Sequence, residues 1–422
     1  MQAAPRLGQA FVSTSGFIAA AVAAILASAA PAAASPSYAF QQTLAIPGVT
    51  FTGYDLAVFD QTDQLYYLTD RSNNAIDVYS AKTNSYVERI GSGLFSGATA
   101  SNNNAGPNGI SISNTATGKL LIAGNGPSTL ISFNLDPTGL VVQGAPRSIS
   151  TAVTGTPTPP NRVDGVAYAP TANTILAANN ASTPGFVTLI NNATGAVTRS
   201  ILLNGTGGYP DVGGNGVEAT IFNTARGTYF IAIPAFNAAG TGAGGVIELD
   251  AATGNLLHTY DFNAMGLAGV CSPTGLAQGA GASMFVACSD GTAGHSVVLD
   301  PAGAGKLTLV NGISGGDQVS FDPANNTFVE AARFQVGGPV VGIVDATTLA
   351  LQILPIGGND HSVAIDPVSG EFFVATAGTT AFPNCTTGCI GVFAQTVPEP
   401  ATLPVMALAL AGLAYVTRRF RV

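Results

Sequence analysis

Apolar residues in this 422-residue chain fall in short runs with a two-residue alternation, and longer apolar stretches are confined to the two ends. One pattern organises the rest. A polar residue, then alternating small or apolar positions, often ending in Asp, Asn or Ser before a turn, recurs seven times, beginning at Asp55, Asn108, Asp164, Glu218, Thr274, Asp317 and His361. The last copy, Asp360-His361-Ser362-Val363-Ala364-Ile365-Asp366-Pro367, shows it most plainly. Each copy reads as a strand entered from a loop. The starts lie 53, 56, 54, 56, 43 and 44 residues apart, and self-similarity at a near-constant period marks a repeat architecture.

Within the first block the pattern predicts four short strands, at 54–60, 65–70, 75–79 and 86–90. Four strands per block is the unit of a propeller blade. The outer hairpin repeats as well, in Asp136-Pro137-Thr138-Gly139, Asn191-Asn192-Ala193-Thr194-Gly195, Asp250-Ala251-Ala252-Thr253-Gly254 and Asp300-Pro301-Ala302-Gly303. There Asp or Asn caps the turn and Gly supplies positive φ. The seventh block supplies only three strands, at 361–366, 371–376 and 389–394. Segment 42–48 is similar to the fourth strands near 200–203 and 351–355, so it is expected to complete the last blade and remove an unpaired edge. The expected fold is all-β: a single seven-bladed β-propeller over 41–396, closed by an N-terminal strand, with a hydrophobic helix at each terminus.

Composition agrees with strands and turns: 9% of residues are charged, 46% are apolar, and Gly (52) and Pro (25) are abundant. Longer Gly-, Pro-, Asn- and Thr-rich loops at 93–107, 155–160, 205–216 and 235–245 are expected at one mouth of the ring. Setting aside the terminal Arg6, Arg418, Arg419, Arg421 and Glu399 leaves 10 basic and 22 acidic residues, a body charge of −12. Nucleic acid and anionic membrane surfaces are poor partners for such a body. It is expected to act as a monomer.

The four cysteines form two close pairs, which suits an oxidising compartment. A hairpin of 272–277 with 283–287 would set Cys271 opposite Cys288. Cys385 and Cys389 would close a tight surface loop; a disulfide is favoured there over half of a metal site, since no further Cys is available.

Residues 1–34 read as a secretory signal, with Arg6 before an apolar stretch at 17–30 and Ala32-Ala33-Ala34 as the cleavage region. The other end joins Pro398-Glu399-Pro400, an apolar run at 403–416 and a terminal cluster containing Arg418 and Arg419. That order closely resembles the PEP-CTERM sorting signal of Gram-negative bacteria, here over 397–422 with its transmembrane helix. The resemblance implies recognition and cleavage by an exosortase and delivery to the cell envelope, either held in the membrane through the C-terminus or released to the cell surface or extracellular matrix. The body is similar to YVTN and NHL-type bacterial propellers through Leu65-Tyr66-Tyr67-Leu68-Thr69-Asp70 followed by Asn74-Ala75-Ile76-Asp77-Val78-Tyr79.

If the seven copies are in register, their first residues meet at one mouth of the central channel: Asp55, Asn108, Asp164, Glu218, Thr274, Asp317 and His361. Four carboxylates close together either raise one another's pKa or attract a cation, and an all-oxygen set suits Ca²⁺ or Mg²⁺. Asp55, Asp164, Glu218 and Asp317 are thus candidate metal ligands, with His361 a candidate base. The arrangement resembles metal-dependent lactonases of propeller fold, which usually have six blades. The bland alternative is a polar rim around a wet channel. Two other patterns carry no chemistry: Gly312-Ile313-Ser314-Gly315-Gly316 joins strands of adjacent blades, and Gly240-Thr241-Gly242-Ala243-Gly244-Gly245 leads into a strand where a nucleotide-binding motif needs a helix. The expected function is a surface-sorted binding or scaffold module for a glycan or protein ligand, and the alternative is a lactonase-like hydrolase.

Overall fold

The computed structural model describes residues 37–153, 161–267 and 271–396. The described chain forms seven four-stranded antiparallel sheets. Blade one has strands Tyr54–Asp60, Leu65–Asp70, Ala75–Ser80 and Ser85–Ile90, so the alternation placed its elements to within a residue. Inner strands of consecutive blades neighbour one another around a ring that returns from blade seven to blade one. The fold is a seven-bladed β-propeller.

Burial along each blade explains the sequence pattern. Second strands are covered on both faces: Leu65–Asp70, Thr174–Asn179, Thr228–Ile233 and Thr327–Ala332 are buried at every position. Fourth strands such as Ser85–Ile90 and Lys306–Asn311 are mostly wet. Seven apolar clusters of described residues each straddle one interface between neighbouring blades. Each large side chain buried there contributes about 1.5–3 kcal/mol, which makes the ring, not the single blade, the stable unit.

Ring closure follows the expected device with a shifted register. The closing strand is Ser37–Ala45, not 42–48, and pairs antiparallel with Cys389–Thr396 from Ser37↔Thr396 to Ala45↔Cys389. It begins earlier because the last strand runs to Thr396, beyond the expected 394, and offers a longer edge to cover. Pro47 and Gly48 fall in the turn towards blade one. The outer turns take their expected form: Asp250 Oδ1 accepts the Thr253 amide at 2.8 Å, and Gly254 follows at φ 69°.

Both cysteine pairs are disulfides, with Cα separations of 4.8 Å for Cys271–Cys288 and 5.3 Å for Cys385–Cys389. Buried charge is handled unevenly. Glu248 accepts from Arg226 at 2.8 Å, Thr228 at 2.7 Å and Tyr260 at 3.0 Å. Glu330, fully buried in blade six, receives only the Ser296 hydroxyl at 3.0 Å, and its Oε2 has no partner. Burial lifts its pKa to about 8, so it is neutral in the folded protein near pH 7.

The expected terminal segments, the signal at 1–34 and the helix within 397–422, lie outside the described residues, as does the loop at 155–160. Among the described residues no helix is long and apolar enough to cross a membrane.

Candidate functional site

Each inner strand leaves the mouth of the channel and the second strand returns to it, so the residue before the first meets the residue after the second. This hairpin geometry builds a cavity of about 650 Å³ at the mouth. Six of the seven predicted positions line it: Asp55, Asp164, Glu218, Thr274, Asp317 and His361. Asn108 does not. It is fully buried, donates to the carbonyls of Ala105 (3.0 Å) and Val163 (2.8 Å), and accepts from Arg71 Nη2 at 2.6 Å. Its task is to position an arginine.

Three arginines complete the wall. Arg71 and Arg333 stand directly after the second strands of blades one and six, and Arg162 lies two residues before Asp164, ahead of blade three's inner strand Val166–Ala169. Arg71 pairs with Asp55 at 2.9 Å, Arg162 with Asp164 at 3.0 Å and Arg333 with Asp317 at 2.9 Å. Arg71 also reaches Asn102 Oδ1 at 2.9 Å, which ties loop 93–107 to the site. Among the described parts of the long loops, this one alone reaches the cavity; 205–216 and 235–245 fold back locally, through the Asn204↔Asp211 bridge and the Asn237 turn.

Glu218 stands apart. Among the described residues it has no ion-pair partner, only the Asn180 amide donating at 3.5 Å, while the same amide also donates to Asp164. Burial, with the like charges of Asp164 and Asp317, lifts its pKa to about 8. Burial also lifts Asp164, against the pull of Arg162. Asp55 goes the other way: burial opposes ionisation, but Arg71 and His361 outweigh it and hold the carboxyl well below the usual range.

His361 closes the wall on blade seven. Its Nδ1–H donates to the Asn359 carbonyl at 2.8 Å, and Nε2 faces Asp55 Oδ1 at 3.5 Å. The ring stacks on Tyr54 (centroids 4.7 Å apart), and Tyr54 stacks on Phe51. Below the mouth, Gln318 Oε1 accepts from the amides of Ala57 and Val363, binding blades one, six and seven together.

The set does not fit a divalent metal. A hard cation needs several oxygens free to face it, and guanidinium groups occupy those faces on Asp55, Asp164 and Asp317. Among the described residues no group of three or more His, Cys, Asp or Glu side chains is arranged to hold a metal ion.

Comparison with known proteins adds the fold and the tail. No curated protein sequence matches the chain. Solved structures similar to it include the RRP9 WD40 repeats (10% identity, TM-score 0.58, covering 86% of this chain and 99% of that one). A structure of U3-55K matches at 12% identity and TM-score 0.55, over 85% of this chain and 99% of that one. A catalytically inactive variant of virginiamycin B lyase from Staphylococcus aureus, with quinupristin, matches at 10% identity and TM-score 0.58, again over 85% and 99%. Residues 396–419 match the PEP-CTERM protein-sorting motif, which implies processing by an exosortase-type enzyme. The protein is thus an exported, envelope-sorted seven-bladed β-propeller carrying a C-terminal PEP-CTERM motif.

Proposed function

We propose that this propeller is a binding module of the cell envelope or extracellular matrix, taking part of a glycan or protein partner into the mouth cavity. One observation carries the reading: a cavity of about 650 Å³ whose charged walls are already cross-braced, so little side-chain ordering is left for the ligand to impose. Propellers similar in fold include both WD40 repeats and a lyase, so fold does not choose between binding and catalysis. The wall favours binding. Its imidazole is engaged with Asn359 and Asp55, and three of its four carboxylates are engaged with arginine. The apolar run at 403–416 holds the chain in the membrane until the sorting enzyme acts.

The test blocks the mouth without touching its charges. Ala100 is an exposed residue of the cavity wall, so Ala100→Trp fills space there. Immobilised wild-type protein is expected to retain a defined envelope component that Ala100→Trp does not retain. Equal retention by both would place the binding surface elsewhere.

A further inference from the structure

Three arginines and four carboxyls face one cavity, and pairing them leaves one carboxyl over. Asp55, Asp164 and Asp317 each have a guanidinium within 3.0 Å; Glu218, on blade four, has none. Several other polar side chains at the mouth are already engaged: Asn102 by Arg71, the Asn180 amide by Asp164, and Thr274 by the Gly316 carbonyl at 2.9 Å. Among the described residues the wall thus has one carboxyl without a counter-charge, and it also carries apolar surface: Phe334 is 53% exposed where it lines the cavity, and Val336 on the same loop is 71% exposed. That combination matches one basic side chain with an apolar stem, carried on a polypeptide.

We propose that Glu218 is the counter-charge for a lysine ammonium that a polypeptide partner inserts into the mouth. The inference rests on the mouth being the binding site. The body charge of −12 favours approach of a basic segment over an acidic one. Four groups act on Glu218: Asp164 and Asp317 disfavour its charge, whereas Arg162 and the Asn180 amide favour it. The remaining ionisable groups of the wall, Asp55, Arg71, Arg333 and His361, are engaged as described. Because the carboxyl titrates at about 8, docking of an ammonium at pH 7 ionises it and expels its proton to solvent.

Calorimetric titration of the purified protein with a capped pentalysine peptide tests this. The expected result is saturable binding with proton release, read from two buffers of different ionisation enthalpy. Affinity should tighten between pH 7 and pH 9, the interval that spans the Glu218 pKa of about 8. Glu218→Gln should weaken it at least about tenfold, with proton release gone, and Glu218→Asp should retain part of it. Glu88→Gln, which removes an exposed carboxylate from the outer strand Ser85–Ile90, should leave it unchanged. Absence of pentalysine binding, or equal losses for Glu218→Gln and Glu88→Gln, overturns the proposal. So does binding of a glucosamine oligomer in place of pentalysine. If pentalysine fails while Ala100→Trp still abolishes retention of an envelope component, the mouth reading stands and this inference alone falls.

Discussion

Replacing Glu330 by Gln isolates what a carboxyl buried without a counter-charge does to stability. Glu330 is fully buried, accepts one hydrogen bond from Ser296 and leaves Oε2 unpaired. Desolvation moves its pKa from 4.5 to about 8. A carboxyl raised on folding stabilises through its neutral form, fully below pH 4.5 and progressively less as pH climbs through 8. At about 1.4 kcal/mol per pKa unit, the loss between pH 5 and pH 9 is about 4 kcal/mol from this residue. Glutamine keeps the acceptor for Ser296 but adds an unpaired amide, a pH-independent cost of about 1–3 kcal/mol. Urea unfolding of wild type and Glu330→Gln at both pH values is the assay. The curves should cross, with the variant less stable at pH 5 and more stable at pH 9. A stability difference that is the same at both pH values refutes the reasoning, whatever its sign.

Three further outcomes follow from the geometry. Arg71→Met removes the partner of Asp55 and the donor to Asn108, and should cost about 3–5 kcal/mol in unfolding free energy, because a buried charge loses its compensation; Arg333→Met, at a more exposed pair, should cost less. Denatured, unreduced protein should show no free thiol, and losing Cys271–Cys288 should cost about 2–4 kcal/mol, more than losing the four-residue loop of Cys385–Cys389. Deleting Ser37–Ala45 should expose the edge of Cys389–Thr396 and drive self-association, seen by light scattering; a monodisperse, folded variant would contradict the closure.

The blades were legible because every interface between them demands the same thing: a second strand buried throughout and largely apolar, an outer strand half wet, and a turn with Asp or Asn and Gly at fixed places. The half of the wall that precedes the inner strands was legible for the same reason. Arg71 and Arg333 escaped because attention to one end of a hairpin overlooks the other, although each arginine directly follows a recognisable second strand. Asn108 looked like a wall residue because its strand position matches its six counterparts; its burial depends on Arg71 and Val163 in neighbouring blades. Four carboxylates read as a metal set only while the three arginines opposite them stayed out of view. Loops 205–216 and 235–245 have the composition of mouth loops, but composition does not say which way a loop folds.

Site-specific photocrosslinking on the surface of producing cells tests the binding site most directly. A photoreactive residue at Ala100, in the cavity wall, is compared with one at Val197, exposed on the outer strand Val197–Leu202. A discrete adduct with an envelope component is expected from position 100, abolished by Glu218→Gln, and none from position 197. A discrete adduct from position 197 with none from position 100 would contradict binding at the mouth.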